Sequence, residues 1–105
     1  MDAVACAAGV TPFARITDLT VDQYQTGVTD KLLSQIALVL LGLDRVQSAG
    51  SFTLISGVLA DDPIATGTVA GTVNGGIQAF VRSAAIELPR SQRINTVSPT
   101  VFIEA

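Results

Sequence analysis

The stretch that decides the fold is Asn74-Gly75-Gly76-Ile77-Gln78-Ala79-Phe80-Val81-Arg82-Ser83-Ala84-Ala85-Ile86-Glu87-Leu88, which runs into Pro89 and is followed by Arg93-Ile94-Asn95-Thr96-Val97-Ser98-Pro99. Together with the upstream Val69 and Val73, the apolar residues Ile77, Phe80, Val81 and Ala84 recur at three- and four-residue steps, which marks one face of a helix. The spacing predicts a helix over 66–88 that Pro89 stops, because proline can neither donate the backbone bond nor fit beside the preceding turn. Residues 93–98 then read as a strand closed by Pro99. A long helix feeding a short strand is the unit from which parallel sheets are built.

The same unit repeats upstream. Ser51 to Ser56 (SFTLIS) is rich in β-formers and reads as a strand, and residues 57–66 form a loop carrying the turn signal Asp61-Asp62-Pro63. Before it, Leu32, Leu33, Ile36, Val39, Leu40, Leu43 and Val46 trace a helical stripe over about 21–47. Thr20 and Gln23 have the spacing of a capping box at its start, and Gly50 stands where a C-terminal cap glycine belongs. Residues 3–7 are small and apolar and read as a first buried strand, followed by a loop over 10–19 broken by Pro12. The expected order is β-α-β-α-β with right-handed crossovers, a single α/β domain over residues 1–105 with three parallel strands and two long crossover helices. This is part of a doubly wound, Rossmann-like sheet.

Composition narrows the function. Of the 105 residues 49% are hydrophobic and 14% charged, which leaves a chain of this size apolar surface to cover and points to a homo-oligomer. The net charge of −3, with only six scattered basic residues, argues against a nucleic-acid surface. One cysteine, Cys6, and no histidine exclude an internal disulfide, the common zinc sites and the usual Ser-His or Cys-His pairs; no metal is expected. The apolar run 32–43 is too short to span a bilayer, where roughly 20 residues are needed. No membrane association and a cytoplasmic location are the expectation.

Three segments resemble the middle of short-chain dehydrogenases/reductases. Cys6-Ala7-Ala8-Gly9 is similar to that family's Asn-Asn-Ala-Gly turn. Gly50 to Gly57 is similar to the strand that delivers the catalytic serine, and 74–99 resembles the continuation of the catalytic helix and the next strand. The resemblance implies an oxidoreductase lineage that uses NAD(P), with the tyrosine of a Tyr-x-x-x-Lys motif as proton donor and the lysine lowering its pKa from the same helix face. In the register set by Phe80-Val81-Arg82-Ser83 the serine, tyrosine and lysine positions fall on Gly57, Ala70 and Asn74, so none of the three is intact. Ser56, one position early, points to the opposite face of its strand. The family's helix asparagine falls near Thr29 or Asp30. A glycine-rich pyrophosphate turn is absent, and the cofactor contacts implied are Ala8, Gly9, Ser56, Asn74, Pro99 and Thr100.

The remaining features have plainer readings. Gly67, Gly71 and Gly75 share one helix face, and each costs roughly 1 kcal/mol relative to alanine, so the stripe reads as a place of close helix packing. The resemblance implies a subunit interface through the two helices, with Ile77 and Phe80 as residues whose change to aspartate would dissociate or unfold the assembly. Asp61-Asp62 reads as a solvated turn, Tyr24 and Lys31 as surface residues, and Cys6 as an inert buried thiol. Three functional expectations follow. The chain is a fragment of oxidoreductase lineage without catalytic activity in isolation; or it is part of a longer NAD(P)-binding oxidoreductase with an atypical active site; or it is a self-associating module whose first strand offers an open sheet edge.

Overall fold

The computed structural model describes residues 3–6, 11–56 and 64–97. The elements are β1 (Ala3–Cys6), α1 (Val21–Gly27), a π-helical segment (Val28–Leu33), α2 (Ser34–Gly42), β2 (Ser51–Ile55), α3 (Thr68–Ala85) and β3 (Arg93–Val97). The strands form one parallel sheet in the order β1-β2-β3, with Ala3 beside Ser51 and Ser51 beside Arg93. The β-α-β-α-β reading and its parallel sheet therefore hold.

Alternation places the core. Phe52, Leu54 and Ser56 are buried while Ser51, Thr53 and Ile55 are half-buried, as a strand with one packed face requires. Phe52, Leu54 and Ile94 meet Val39 and Val46 from the first crossover and Val69, Val73, Ile77 and Val81 from α3 in one cluster. Both crossovers therefore cover the same face of the sheet. Tyr24 and Leu32 pack against the edge of that cluster, so Tyr24 is not the surface residue its position on the helix suggested.

The start of α1 is the one read from sequence. The Gln23 amide donates to Thr20 Oγ1 at 3.2 Å and the Thr20 amide to Gln23 Oε1 at 2.9 Å, a complete capping box. Its far end is not. The first crossover stops at Gly42 rather than near 47, and Gly50 is no cap but a buried residue at the start of β2. The carbonyls of Leu43 and Val46 are taken instead by Gln92 Nε2 at 3.0 and 2.7 Å, with Arg90 Nη2 reaching the same two oxygens. Side chains from the loop before β3 thus satisfy a helix end distant in sequence.

Close approach between helices within the chain falls on two other glycines. A Cβ on Gly27 would lie 2.5 Å from Val69 Cγ1, and one on Gly76 would lie 2.9 Å from Leu32 Cδ2, whereas one on Gly75 would meet nothing within 4 Å. Within the chain, Gly27 and Gly76 are where the first crossover and α3 need bare backbone. Ile77 is fully buried in the core and Phe80 is half-buried beside it, so of the two expected effects of Ile77→Asp, dissociation or unfolding, burial favours unfolding.

Candidate functional site

The C-terminal ends of parallel strands, with the helices beside them, are where open α/β sheets bind ligands. At this rim β2 ends on Ile55 and Ser56, with the π-helical segment on one side and α3 on the other. A π-helical turn carries wider spacing than an α-helical one and is frequent at functional sites. It changes which residues share a face, and here it brings Lys31 inward. Thr29 and Asp30, where the helix asparagine was expected, are exposed, whereas Lys31 is half-buried.

The Lys31 ammonium donates to Asn74 Oδ1 at 2.6 Å and makes a longer contact of 3.4 Å with the Ser56 carbonyl oxygen. This overturns its reading as a surface residue. Burial lowers the Lys31 pKa below the usual lysine value. Both acceptors are neutral dipoles, so they orient the charge without cancelling it.

Asn74 and Ser56 are held in turn. Asn74 is 4% exposed and Ser56 2%. The Ser56 hydroxyl donates to the Asn74 main-chain oxygen at 3.0 Å and accepts from Gln78 Nε2 at 3.3 Å. Behind them, Gln35 is fully buried and pairs with both main-chain groups of Ile55. Its Nε2 donates to the carbonyl and its Oε1 accepts from the amide, each at 3.0 Å. The glutamine side chain thereby satisfies the end of β2 as a neighbouring strand would.

Ala70 lies one helical turn before Asn74 on the same side of α3 and is 3% exposed. The place read for the proton-donating tyrosine is thus a buried methyl group, and the place read for its lysine is a buried amide bonded to an ammonium from the other crossover. Of the sites read from sequence, Ser56, Ala70 and Asn74 come together here. Gly57, Ala8, Gly9, Pro99 and Thr100 lie outside the described residues, as do Asp61 and Asp62. Sequence reasoning missed Lys31 and Gln35. One signal for Lys31 was available: it is the chain's only lysine, set beside the position expected for a family site residue.

A three-stranded parallel sheet with crossovers on one face and a hydrogen-bonded polar cluster at its C-terminal rim defines part of a doubly wound, nucleotide-binding type of fold. A family model described as Enoyl-(Acyl carrier protein) reductase matches residues 1–103, and the chain belongs to the short-chain dehydrogenase/reductase family. Among solved structures it is similar to the protein lin1944 from Listeria innocua, with 48% identity and a TM-score of 0.92 over 95% of this chain and 50% of that one. A small-chain dehydrogenase in complex with NADPH is 28% identical, with a TM-score of 0.88 over 93% of this chain and 45% of that one. A short-chain dehydrogenase/reductase from Vibrio parahaemolyticus shares the fold at 22% identity and a TM-score of 0.84, over 95% of this chain and 50% of that one. The chain spans about half the length of these relatives. No curated protein matches it. Among the described residues no helix is long and apolar enough to cross a membrane.

Proposed function

We propose that the chain is the central portion of an NAD(P)-binding oxidoreductase whose rim works without the family's tyrosine, and that in isolation it does not turn over carbonyl substrates. The observation that carries this reading is the buried Ala70 methyl one turn before an Asn74 amide that holds the Lys31 ammonium at 2.6 Å. The rim has a cation and fixed dipoles for binding, but the described residues at the tyrosine position offer no hydroxyl to give or take a proton. Such a donor set suits the hydroxyl-bearing end of a nicotinamide dinucleotide. When bound, that cofactor supplies a hydride. The protein's part would be to orient it: Lys31 would bind, Asn74 and Ser56 would hold Lys31, and Gln35 would fix the end of the strand beneath them.

Incubating the purified chain with NADPH or NADH and a panel of aldehydes and ketones tests the catalytic half of this reading. The expected result is no oxidation of the reduced cofactor above the protein-free rate. Turnover that depends on the chain would overturn it.

A second reading, self-association through the helices, is favoured by the outer side of the first crossover. Leu33, Leu40 and Leu41 are 50%, 59% and 76% exposed, a row of large apolar side chains in water. A second copy of the chain laid helix against helix would cover it, and burial is worth roughly 25 cal/mol per Å² of apolar area.

A further inference from the structure

Asn74 is followed by Gly75, and the pair lies inside α3. An asparagine before glycine is a reactive setting for loss of the side-chain amide, because glycine carries no side chain to obstruct its own nitrogen. In that reaction the Gly75 nitrogen attacks Asn74 Cγ and closes a five-membered succinimide. The bond from Cγ to Nδ2 breaks, and ammonia leaves with the Gly75 amide proton. Water then opens the ring to aspartate or isoaspartate, so one water is consumed for each ammonia released and nothing is oxidised or reduced. The chain's other asparagine, Asn95, lies in β3 before the β-branched Thr96. We propose that Asn74-Gly75 is a deamidation site gated by local opening of α3, and that Lys31 is the side chain that holds the gate shut. The proposal does not depend on the dinucleotide reading above.

Three contacts keep the asparagine unreactive in the closed fold. Lys31 Nζ donates to Asn74 Oδ1 at 2.6 Å and so holds the side chain toward the first crossover. The Ser56 hydroxyl donates to the Asn74 main-chain oxygen at 3.0 Å. The helix ladder engages the Gly75 amide with the carbonyl four residues earlier. Ring closure needs that nitrogen free and the Asn74 side chain turned back along the chain, which breaks the first and third contacts together. The N-terminal half of α3 is built to allow this. Its cap, Gly67, offers no side-chain hydrogen bond, and Thr66 enters it at φ 67, a region that β-branched residues rarely adopt. Gly71, Gly75 and Gly76 follow, each weakening a helix relative to alanine. When the helix closes again, an aspartate at position 74 meets the Lys31 ammonium as a carboxylate, and a charge-assisted bond replaces the contact with a neutral amide.

The chain is incubated in mildly alkaline buffer, folded and in urea, and amide-to-acid conversion is located by peptide mapping with mass spectrometry. In urea the expected result is conversion at Asn74 and not at Asn95. The folded chain should convert more slowly by roughly tenfold or more, because a minor open state is populated at about 10% or less. Gly75→Ala, which places a Cβ where nothing lies within 4 Å, should block conversion in both states. Lys31→Met should speed conversion of the folded chain beyond Val46→Ala, which weakens the fully buried core at the far end of the first crossover. Folded and unfolded chains converting at one rate, an Asn74 that survives in urea, or Lys31→Met converting no faster than Val46→Ala would each overturn the proposal. Should Lys31→Met fail to fold, the parent decides alone. Hydrogen exchange of the Gly75 amide and conversion of Asn74 report one opening, so both rates should rise together as sub-denaturing urea is added, and divergence would contradict the gate.

Discussion

Lys31 and Gln35 lie one turn apart and face the end of β2, yet they serve opposite needs. Gln35 is neutral and fully satisfied, with Nε2 and Oε1 each 3.0 Å from an Ile55 main-chain group. Replacing it by leucine keeps the volume but strands two partly buried backbone groups, each costing up to about 1–3 kcal/mol. Gln35→Leu is therefore expected to lower stability in urea by a few kcal/mol, and an unchanged denaturation midpoint would contradict the pairing. Lys31 is charged and only partly compensated. Burial lowers its pKa in the folded chain below the ordinary value of 10.5, so between the lowered value and 10.5 the unfolded chain binds more protons than the folded one. Stability attributable to this group must then rise with pH through that window and stay flat below it. Comparing the parent with Lys31→Met across alkaline pH isolates the effect: the upward slope is expected in the parent and absent from the variant.

At the scale of elements, the first crossover carries both what the sequence made legible and what it hid. Its start was legible because Thr20 and Gln23 bond each other across three residues. The strand 51–56 was legible because alternation and β-branching are local. The end at Gly42 was not, since the side chains that cap it, Arg90 and Gln92, come from the far side of α3. Nor was the inward turn of Lys31, which depends on a π-helical segment that no 3.6-residue count anticipates. The serine, tyrosine and lysine positions were read by register alone; of these Ala70 and Asn74 lie one turn apart at the rim beside Ser56, and Gly57 lies outside the described residues. The glycine stripe on α3 was legible as a pattern, but the close approaches within the chain fall on other glycines, Gly27 and Gly76. Gly27, facing Val69 Cγ1 at a projected 2.5 Å, is the tight point, and Val69 is fully buried in the core. Gly27→Ala is expected to destabilise the fold by about 1–3 kcal/mol despite alanine's better helix propensity. A stabilised variant in thermal melts would show that the helices can part without cost.

For the whole molecule, the balance of apolar surface decides its state in solution. The core joins one sheet face to both crossovers, while Leu40 and Leu41 point outward at 59% and 76% exposure. An apolar groove of about 390 Å³ continues beside them between α2 and α3, lined by Val39, Leu43, Phe80 and Leu88 among others. It lies toward the ends of the helices, away from Lys31, so the apolar surface and the polar cluster of Lys31, Ser56 and Asn74 occupy different parts of the molecule. Leu41→Asp should shift the chain toward monomer in sedimentation velocity without lowering its helix content, since the side chain is outside the core. A parent chain that is already monomeric at high concentration would remove the basis for self-association.

The proposed binding of a dinucleotide is the claim on which the rest turns, and a ligand that binds only the folded chain must raise its melting temperature by mass action. Titration with NADP(H) and NAD(H) should raise the melting temperature steadily with ligand concentration for at least one of the two pairs. A melting temperature unmoved by either, up to concentrations that saturate related dehydrogenases, would contradict the account.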